Sequence, residues 1–149
     1  MRPFIFETHV SFQETNLVGN VYFAQYFAWQ GKCREAFLRE NAPGVLEDFR
    51  KGFGMITKES HCRYLREAFA FDRVRIEMFL EDLTRVGVSM RFDYYRVDAN
   101  GEQSMLAQGE QTAMWVSPEH HVTVMPDYLY AAIEAYAETG AKQALALRA

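Results

Sequence analysis

The side chains best suited to chemistry lie in one stretch, ETNLVGNVYFAQYFAWQGKCRE, residues 14–35. Asn16 precedes a turn at Gly19 and Asn20, and the apolar spacing predicts an amphipathic helix over about residues 21–40. The unpaired N–H groups at a helix start favour negative charge. This helix entry could therefore hold a polarised carbonyl or an oxyanion, and plain capping by Asn20 is the structural alternative.

An arginine, Arg34, falls within the apolar face of this predicted helix. At about 100° per residue, Arg34 lies about 20° from Phe23 on the helical wheel. Because an unpaired buried guanidinium is costly, Arg34 must either form an ion pair or act as a donor fork that holds a carbonyl or carboxylate oxygen. Both interpretations stay open. The other members of the apolar arc are Tyr26, Phe27, Gln30, Cys33, Phe37 and Leu38, and the candidate ion-pair partners are Glu67, Asp72 and Glu77.

Motifs for several other kinds of chemistry are missing from the sequence. The histidines, at positions 9, 61, 120 and 121, have no metal-binding spacing, so no metal site is predicted. Nucleophile elbows, P-loops and dinucleotide-binding glycine motifs are absent too. Cys33 and Cys62 belong to no CxxC pair, which indicates free thiols.

Composition is typical of one globular domain over residues 1–149 with a real core, since 49% of residues are hydrophobic. The net charge is -4 and no basic stripe is visible, which argues against a nucleic-acid partner. The sequence contains neither a secretory signal nor an apolar run near 18 residues. We therefore expect a soluble, cytoplasmic protein with no membrane association.

The elements that must position these residues form an α+β layer fold, with an antiparallel sheet curled around the long helix. A first strand is predicted over about residues 4–12. Four later strands, predicted to form a meander, span about 55–66, 72–82, 85–98 and 102–116, after a variable stretch at 45–54. A short helix over 127–140 follows, and the tail could extend it or fray.

The stretch 14–35, together with HCRYLREAFAFDRVRIE at 61–77, resembles the hotdog-fold thioesterases of the 4-hydroxybenzoyl-CoA thioesterase type. The later part of that pattern matches at Tyr64-Leu65, Ala68 and 72–74. This resemblance implies a hotdog fold, in which a five-stranded antiparallel sheet wraps around a central helix. It also implies dimers joined edge to edge, often paired into tetramers, active sites at the dimer interface, and neither a metal nor an organic cofactor.

One departure from the family pattern is informative, because the usual catalytic acid falls where this sequence has Asn16. The combination of Asn16, Tyr26 and Arg34 is similar to thioesterases of enediyne polyketide pathways. That resemblance implies hydrolysis of a (β-keto) polyene acyl thioester from the acyl carrier domain of an iterative type I polyketide synthase. An acyl-CoA thioesterase of general metabolism is the alternative.

Roles for individual residues follow as hypotheses. Backbone N–H groups at Gly19 and Asn20 would bind the oxyanion, and the resemblance gives Asn16, Tyr26 and Arg34 as the catalytic side chains. An amide at position 16 cannot act as a general base, so hydroxide, a second carbonyl of the substrate or another residue must accept the proton. Glu14 is the nearest acid in the sequence. The acyl chain would lie against Phe23 and Phe27, with Thr57 on the opposite wall.

Two rival functions are weighed against this hypothesis. A dehydratase on the same fold would need a histidine near the helix entry, and none lies between His9 and His61. A non-enzymatic protein that binds apolar ligands within a cone-shaped α+β fold usually begins with helices rather than a strand.

Four arginines are predicted to cluster along neighbouring strands: Arg63, Arg66, Arg73 and Arg75. They form either a docking face for an acidic carrier or a solvated face.

Overall fold

The computed structural model describes the backbone of residues 2–148 and the side chains of residues 2–137. Within these residues the strands form a five-stranded antiparallel sheet, in the order β1-β3-β4-β5-β2. The predicted α+β architecture, a sheet around a long helix, is confirmed. The strands are β1 (Phe4–His9), β2 (Gly54–Tyr64), β3 (Arg73–Leu83), β4 (Gly87–Val97) and β5 (Gln103–Val116).

Three helices accompany the sheet in the described part of the chain: α1 (Gln25–Asn41), α2 (Val45–Arg50) and α3 (Asp127–Arg148). Helix α1 begins four residues later than the sequence predicts, and α2 lies in the stretch that was expected to be variable. Helix α3 continues past Gly140, so the tail extends the C-terminal helix. No helix in this part of the chain is both long and apolar enough to cross a membrane.

The prediction that the last four strands form a meander is wrong for β2. Strands β3, β4 and β5 are consecutive neighbours, whereas β2 pairs with β5, from Gly54 opposite Val116 to Tyr64 opposite Ala107. The segment between β2 and β3 therefore runs from β2, at one edge of the sheet, to β3, which lies next to the opposite edge strand β1. The N–H groups of Leu65 and Arg66 both bond to the carbonyl of Leu106 as this segment leaves β2.

This topology separates the arginines that were predicted to cluster. Arg63 and Arg66 belong to the β2 edge, while Arg73 and Arg75 lie on β3, with β5 and β4 between them. The latter two form ion pairs, Arg73 with Glu7 at 2.9 Å and Arg75 with Glu77 at 3.3 Å. The predicted four-arginine face is therefore wrong.

Helix α1 packs its apolar face onto the inner face of the sheet, as the wheel predicts. Its buried residues are Tyr26, Trp29, Gln30, Cys33, Phe37 and Leu38. They belong to the same hydrophobic core as four alternate residues of β3, Val74, Ile76, Met78 and Leu80, which are all buried. Full burial of one large apolar side chain contributes roughly 1.5–3 kcal/mol, so this interface holds α1 firmly. Phe23 is an exception, because it precedes the helix and stays 57% exposed.

Candidate active site

The segment before α1 is a closed turn rather than a helix start. The Asn16 N–H donates to the Asn20 carbonyl and the Gly19 N–H donates to the Asn16 carbonyl, both at 2.8 Å. Gly19 has a φ of +93°, a conformation that glycine adopts without a steric penalty. Val21 then continues extended and donates its N–H to the Ala68 carbonyl at 2.8 Å.

The predicted placement of Gly19 and Asn20 at the helix N-terminus is therefore wrong. The Gly19 N–H already has an acceptor within the turn, so it does not point to an oxyanion. The helix and the positive end of its dipole begin at Ala24 and Gln25. At this start the Gln25 N–H donates to the Tyr22 carbonyl at 2.9 Å and the Phe27 N–H donates to the Ala24 carbonyl at 3.1 Å. The Tyr26 N–H between them is therefore the candidate donor for a developing oxyanion.

Four of the predicted site residues nevertheless meet in one place. Asn16, Asn20, Phe23 and Tyr26 line a cleft of about 280 Å³. The other lining residues are Val21, Tyr22, Tyr64, Arg66 and Glu67. The cleft lies between the turn, the first turn of α1 and the end of β2, so three separate parts of the chain position it.

Glu67 is a cleft residue to which the sequence hypothesis gave no role in catalysis. It is the one carboxylate among the described residues that line the cleft. The Asn20 Nδ2 donates to Glu67 Oε1 at 3.2 Å, while the buried Asn20 Oδ1 has no partner in the described part of the chain. The sequence signal was an acid just after Tyr64-Leu65, within the segment that carries the family resemblance.

Glu14, the nearest acid to Asn16 in the sequence, already has structural partners. Its Oε1 accepts from the Ser11 N–H at 2.9 Å and from the Ser11 hydroxyl at 3.2 Å. Its Oε2 accepts from the Trp29 indole N–H at 2.9 Å, and Trp29 is fully buried. Glu14 therefore caps the short 3-10 turn Phe12–Glu14 and ties it to α1.

Tyr26 is enclosed by other aromatic rings at the inner end of the cleft. Its ring centroid lies 5.1 Å from those of Trp29 and Tyr64 and 5.3 Å from that of Tyr94. Burial, and then the neighbouring Cys62, raise the pKa of Tyr26, so its hydroxyl stays protonated at neutral pH. The Tyr64 hydroxyl donates to the Phe23 carbonyl at 2.7 Å and so fixes the segment that enters the helix.

Arg34 and Thr57 lie together, but away from the cleft. The Arg34 Nη1 donates to Thr57 Oγ1 at 3.2 Å and to Gln111 Oε1 at 2.8 Å. Eight residues separate Arg34 from Tyr26, a distance of about 12 Å along the helix axis. Burial lowers the pKa of Arg34, and the charge of Glu35 partly offsets this effect.

The ion-pair interpretation of Arg34 is wrong. Among the described residues, no carboxylate lies within ion-pair distance of its guanidinium, and the acids proposed for that role lie elsewhere. Glu67 lines the cleft, Asp72 approaches Arg96 at 4.0 Å and Glu77 pairs with Arg75. Gln111 is thus a second residue that the sequence hypothesis did not single out.

A regular ladder joins α1 to β2 and relates the two groups of residues. Tyr26 stacks edge-on against Tyr64, the Ser60 hydroxyl donates to Gln30 Oε1 at 2.8 Å, and Arg34 reaches Thr57. The helix residues recur every four positions, so they share one face.

Phe27, predicted to contact the acyl chain, is half-buried and does not line the cleft. No group of three or more His, Cys, Asp or Glu side chains in the described part is placed to hold a metal ion.

Comparisons with known proteins identify the family to which this fold belongs. The profile of the thioesterase-like superfamily matches residues 10–133. The dynemicin thioesterase, a solved structure, is 40% identical, and the match covers 90% of this chain and 96% of that one with a TM-score of 0.82. A putative esterase of Aquifex aeolicus (strain VF5) is 25% identical over 130 residues, which are 84% of this chain and 99% of that protein.

A more distant likeness supports the fold alone. A 4-hydroxybenzoyl-CoA thioesterase solved with 4-hydroxybenzoyl-CoA is 14% identical, with a TM-score of 0.78 over 89% of this chain and 99% of that one. The expected hotdog fold is confirmed, and the alternative of a non-enzymatic binding protein is wrong. The chain belongs to the thioesterase-like superfamily and is a hotdog-fold thioester hydrolase.

Proposed function

We propose that this enzyme hydrolyses a long unsaturated 3-oxoacyl thioester carried on the acyl carrier domain of an iterative polyketide synthase in an enediyne pathway. The observation that carries the proposal is the cleft in which Asn16, Tyr26 and Glu67 meet beside exposed apolar side chains. The exposed apolar side chains that lie in or next to the cleft-forming segments of the sequence are Leu17, Val18, Tyr22, Phe23, Leu65 and Phe69. An extended apolar chain would shield them from water. The dynemicin thioesterase, 40% identical to this chain, binds polyenes.

In this proposal Glu67 is the general base. Its carboxylate takes a proton from a water molecule while the water oxygen attacks the thioester carbon. The carbon–sulfur bond then breaks, the acid leaves, and the proton passes to the thiolate. Glu67 suits this role because the Asn20 amide holds it in the cleft and because Asn16 has no basic group. Asn16 orients the water or the carbonyl.

The oxyanion would be stabilised by the start of α1 and by an arginine. Within one chain Arg34 is too far along the helix to reach a thioester beside Tyr26. The outer edge of β2 has no strand partner among the described residues, and the side chains from Thr57 to His61 are exposed. Two copies paired antiparallel at this edge would bring the partner's Arg34 towards the Tyr64 end of this β2. A homodimer, and a homotetramer built from two of them, therefore form part of the proposal.

The choice of carrier is tested with one acyl chain on two thiols. For a 3-oxoacyl group at least as long as octanoyl, we expect kcat/KM for hydrolysis from an acyl carrier protein to exceed kcat/KM for hydrolysis from CoA. Mass spectrometry should detect the free acid or the ketone that forms from it by decarboxylation. Preference for CoA would favour general acyl-CoA metabolism instead.

The proposed homotetramer is tested separately. Light scattering should give four times the 17.3 kDa chain mass.

A further inference from the structure

Two fully or nearly buried amide side chains lie between α1 and the sheet. Gln30 is 0% exposed and Gln111 is 5% exposed, and most of the other buried residues are apolar. A buried amide is destabilising unless its donors and acceptors are satisfied, so two adjacent ones imply a specific arrangement. Neither has a part in the proposed hydrolysis so far.

The two amides form a directed chain of hydrogen bonds that ends at Arg34. Gln30 Nε2 donates to the His61 carbonyl at 3.2 Å, and Gln111 Nε2 donates to Gln30 Oε1 at 3.3 Å. The chain closes where Arg34 Nη1 donates to Gln111 Oε1 at 2.8 Å. The Ser60 hydroxyl adds a second donor to Gln30 Oε1. Donor and acceptor therefore alternate along three side chains.

The backbone fixes the direction of this chain. The His61 carbonyl can only accept, so Gln30 must turn its NH₂ group to it and its oxygen to Gln111. Gln111 must then turn its NH₂ group to Gln30 and its oxygen to Arg34. Reversal of either amide would place two acceptors against each other. An acceptor is thus always presented to the guanidinium.

The sheet is shaped to admit the Gln30 amide. A Cβ atom at Gly109 of β5 would lie 2.5 Å from Gln30 Nε2 and 3.1 Å from the His61 carbonyl oxygen. Any side chain at position 109 would displace the amide, because real carbon atoms do not approach so closely. The missing side chain at Gly109 therefore leaves room for the first amide of the chain.

We propose that Gln30 and Gln111 are positioning residues, which hold the Arg34 guanidinium through neutral partners so that its positive charge stays available to an oxygen of the thioester substrate. This inference rests on the proposed function, in which Arg34 stabilises the oxyanion. A carboxylate at position 111 would also have oriented the guanidinium, but it would have neutralised the charge. The amide gives the same geometry without that neutralisation.

The variant Gln111→Glu tests this directly. The introduced carboxylate forms an ion pair with Arg34, so we expect kcat at pH 8 to fall at least tenfold, with KM changed less than about threefold. Protonation turns the new carboxyl into a neutral copy of the amide. The ratio of variant to wild-type kcat should then rise as the pH falls, by up to about tenfold per pH unit. An unchanged kcat, or a loss that does not vary with pH, would overturn the inference.

Gln103→Glu is the matched control. It makes the same charge change on the same strand at an exposed position and should keep the wild-type kcat and pH profile. If Gln103→Glu loses kcat with the same pH dependence as Gln111→Glu, the effect is a general one of charge and the inference fails.

A measurement without substrate separates this inference from the proposed function. In ¹⁵N NMR spectra, the Arg34 guanidinium N–H groups should be protected from exchange in the wild type. They should lose that protection in Gln30→Leu, which removes the side chain that accepts from Gln111 and leaves the bond between Gln111 and Arg34 without its support. Equal protection in both proteins would overturn the chain of amides, whatever the enzyme hydrolyses. Absence of thioester hydrolysis by the wild type, with this NMR difference present, would overturn the proposed function and the role of Arg34 in it, while the amide chain itself would stand.

Discussion

The Trp29 indole N–H donates to Glu14 Oε2 at 2.9 Å, and this bond assigns Glu14 to the framework rather than to the chemistry. Glu14→Ala would leave the buried indole N–H without its acceptor and remove the cap of the 3-10 turn. We expect the free energy of unfolding to fall by about 1–3 kcal/mol in a denaturant titration, with kcat retained. The exposed Glu119→Ala is the control for loss of a carboxylate. A hundredfold loss of kcat at unchanged stability would return Glu14 to the site.

Asn16→Asp asks whether the cleft lacks a base. With Glu67 in that role, a carboxylate at position 16 adds like charge to the cleft and supplies no missing group. We expect kcat not to rise. If kcat instead increases tenfold or more, the wild-type cleft lacks a base and Glu67 does not supply one.

Two glycines should respond in opposite ways to the same change. Gly31 lies within α1, and a Cβ there would meet nothing within 4 Å, so Gly31→Ala should stabilise the protein by about 0.5–1 kcal/mol. Gly109→Ala should destabilise it by about 1–3 kcal/mol and lower kcat, because the new methyl group displaces the Gln30 amide. Thermal unfolding and thioester hydrolysis measure both effects. Equal stability of the two variants would contradict the tight contact at Gly109.

The Cys62 thiol should react slowly. Burial raises its pKa from 9.0 to about 11, and a hydrogen bond with Tyr64 offsets part of this. At pH 8 we therefore expect iodoacetamide to label Cys62 about a hundredfold more slowly than a thiol of ordinary pKa, with the rate rising towards pH 11. Cys62→Ser, which leaves the buried Cys33, gives the background rate. Labelling at the ordinary rate in folded protein would contradict the burial.

The same shift has a defined effect on stability. The unfolded chain releases the Cys62 proton near pH 9.0, whereas the folded chain keeps it to about pH 11. Stability from this group is therefore fully present below about pH 9 and is lost as the pH rises through that window. As the pH rises from about 9 to about 11, the denaturant midpoint of the wild type should therefore fall relative to that of Cys62→Ser. Parallel midpoints would contradict the sign.

The inner face of α1 could be predicted from the sequence because its spacing is local. Tyr26, Gln30, Cys33 and Phe37 recur at helical intervals, and all four are buried. The start of the helix could not be predicted from the sequence, because glycine and asparagine are typical both of helix caps and of tight turns. What keeps residues 20–22 extended is pairing with distant segments, such as the bond from the Val21 N–H to the Ala68 carbonyl.

Long-range pairing also explains what the sequence hypothesis missed in the site. The register that sets β2 against β5 brings Gln111 beneath α1, and no local pattern shows which strand a helix covers. Glu67 was visible as an acid near the family motif, but its place in the cleft depends on the passage of the chain from β2 to β3. Arg34 and Thr57 were both singled out, and they do meet.

The central claim is that Glu67 is the general base of a thioester hydrolase. The direct measurement is kcat for a long-chain 3-oxoacyl thioester with the wild type, Glu67→Gln and the exposed control Glu119→Gln, all checked for folding by circular dichroism. An amide at position 67 keeps the bond from Asn20 but cannot take a proton. We predict a loss of about 10²–10⁴-fold for Glu67→Gln and none for Glu119→Gln. Wild-type turnover by folded Glu67→Gln would contradict the account.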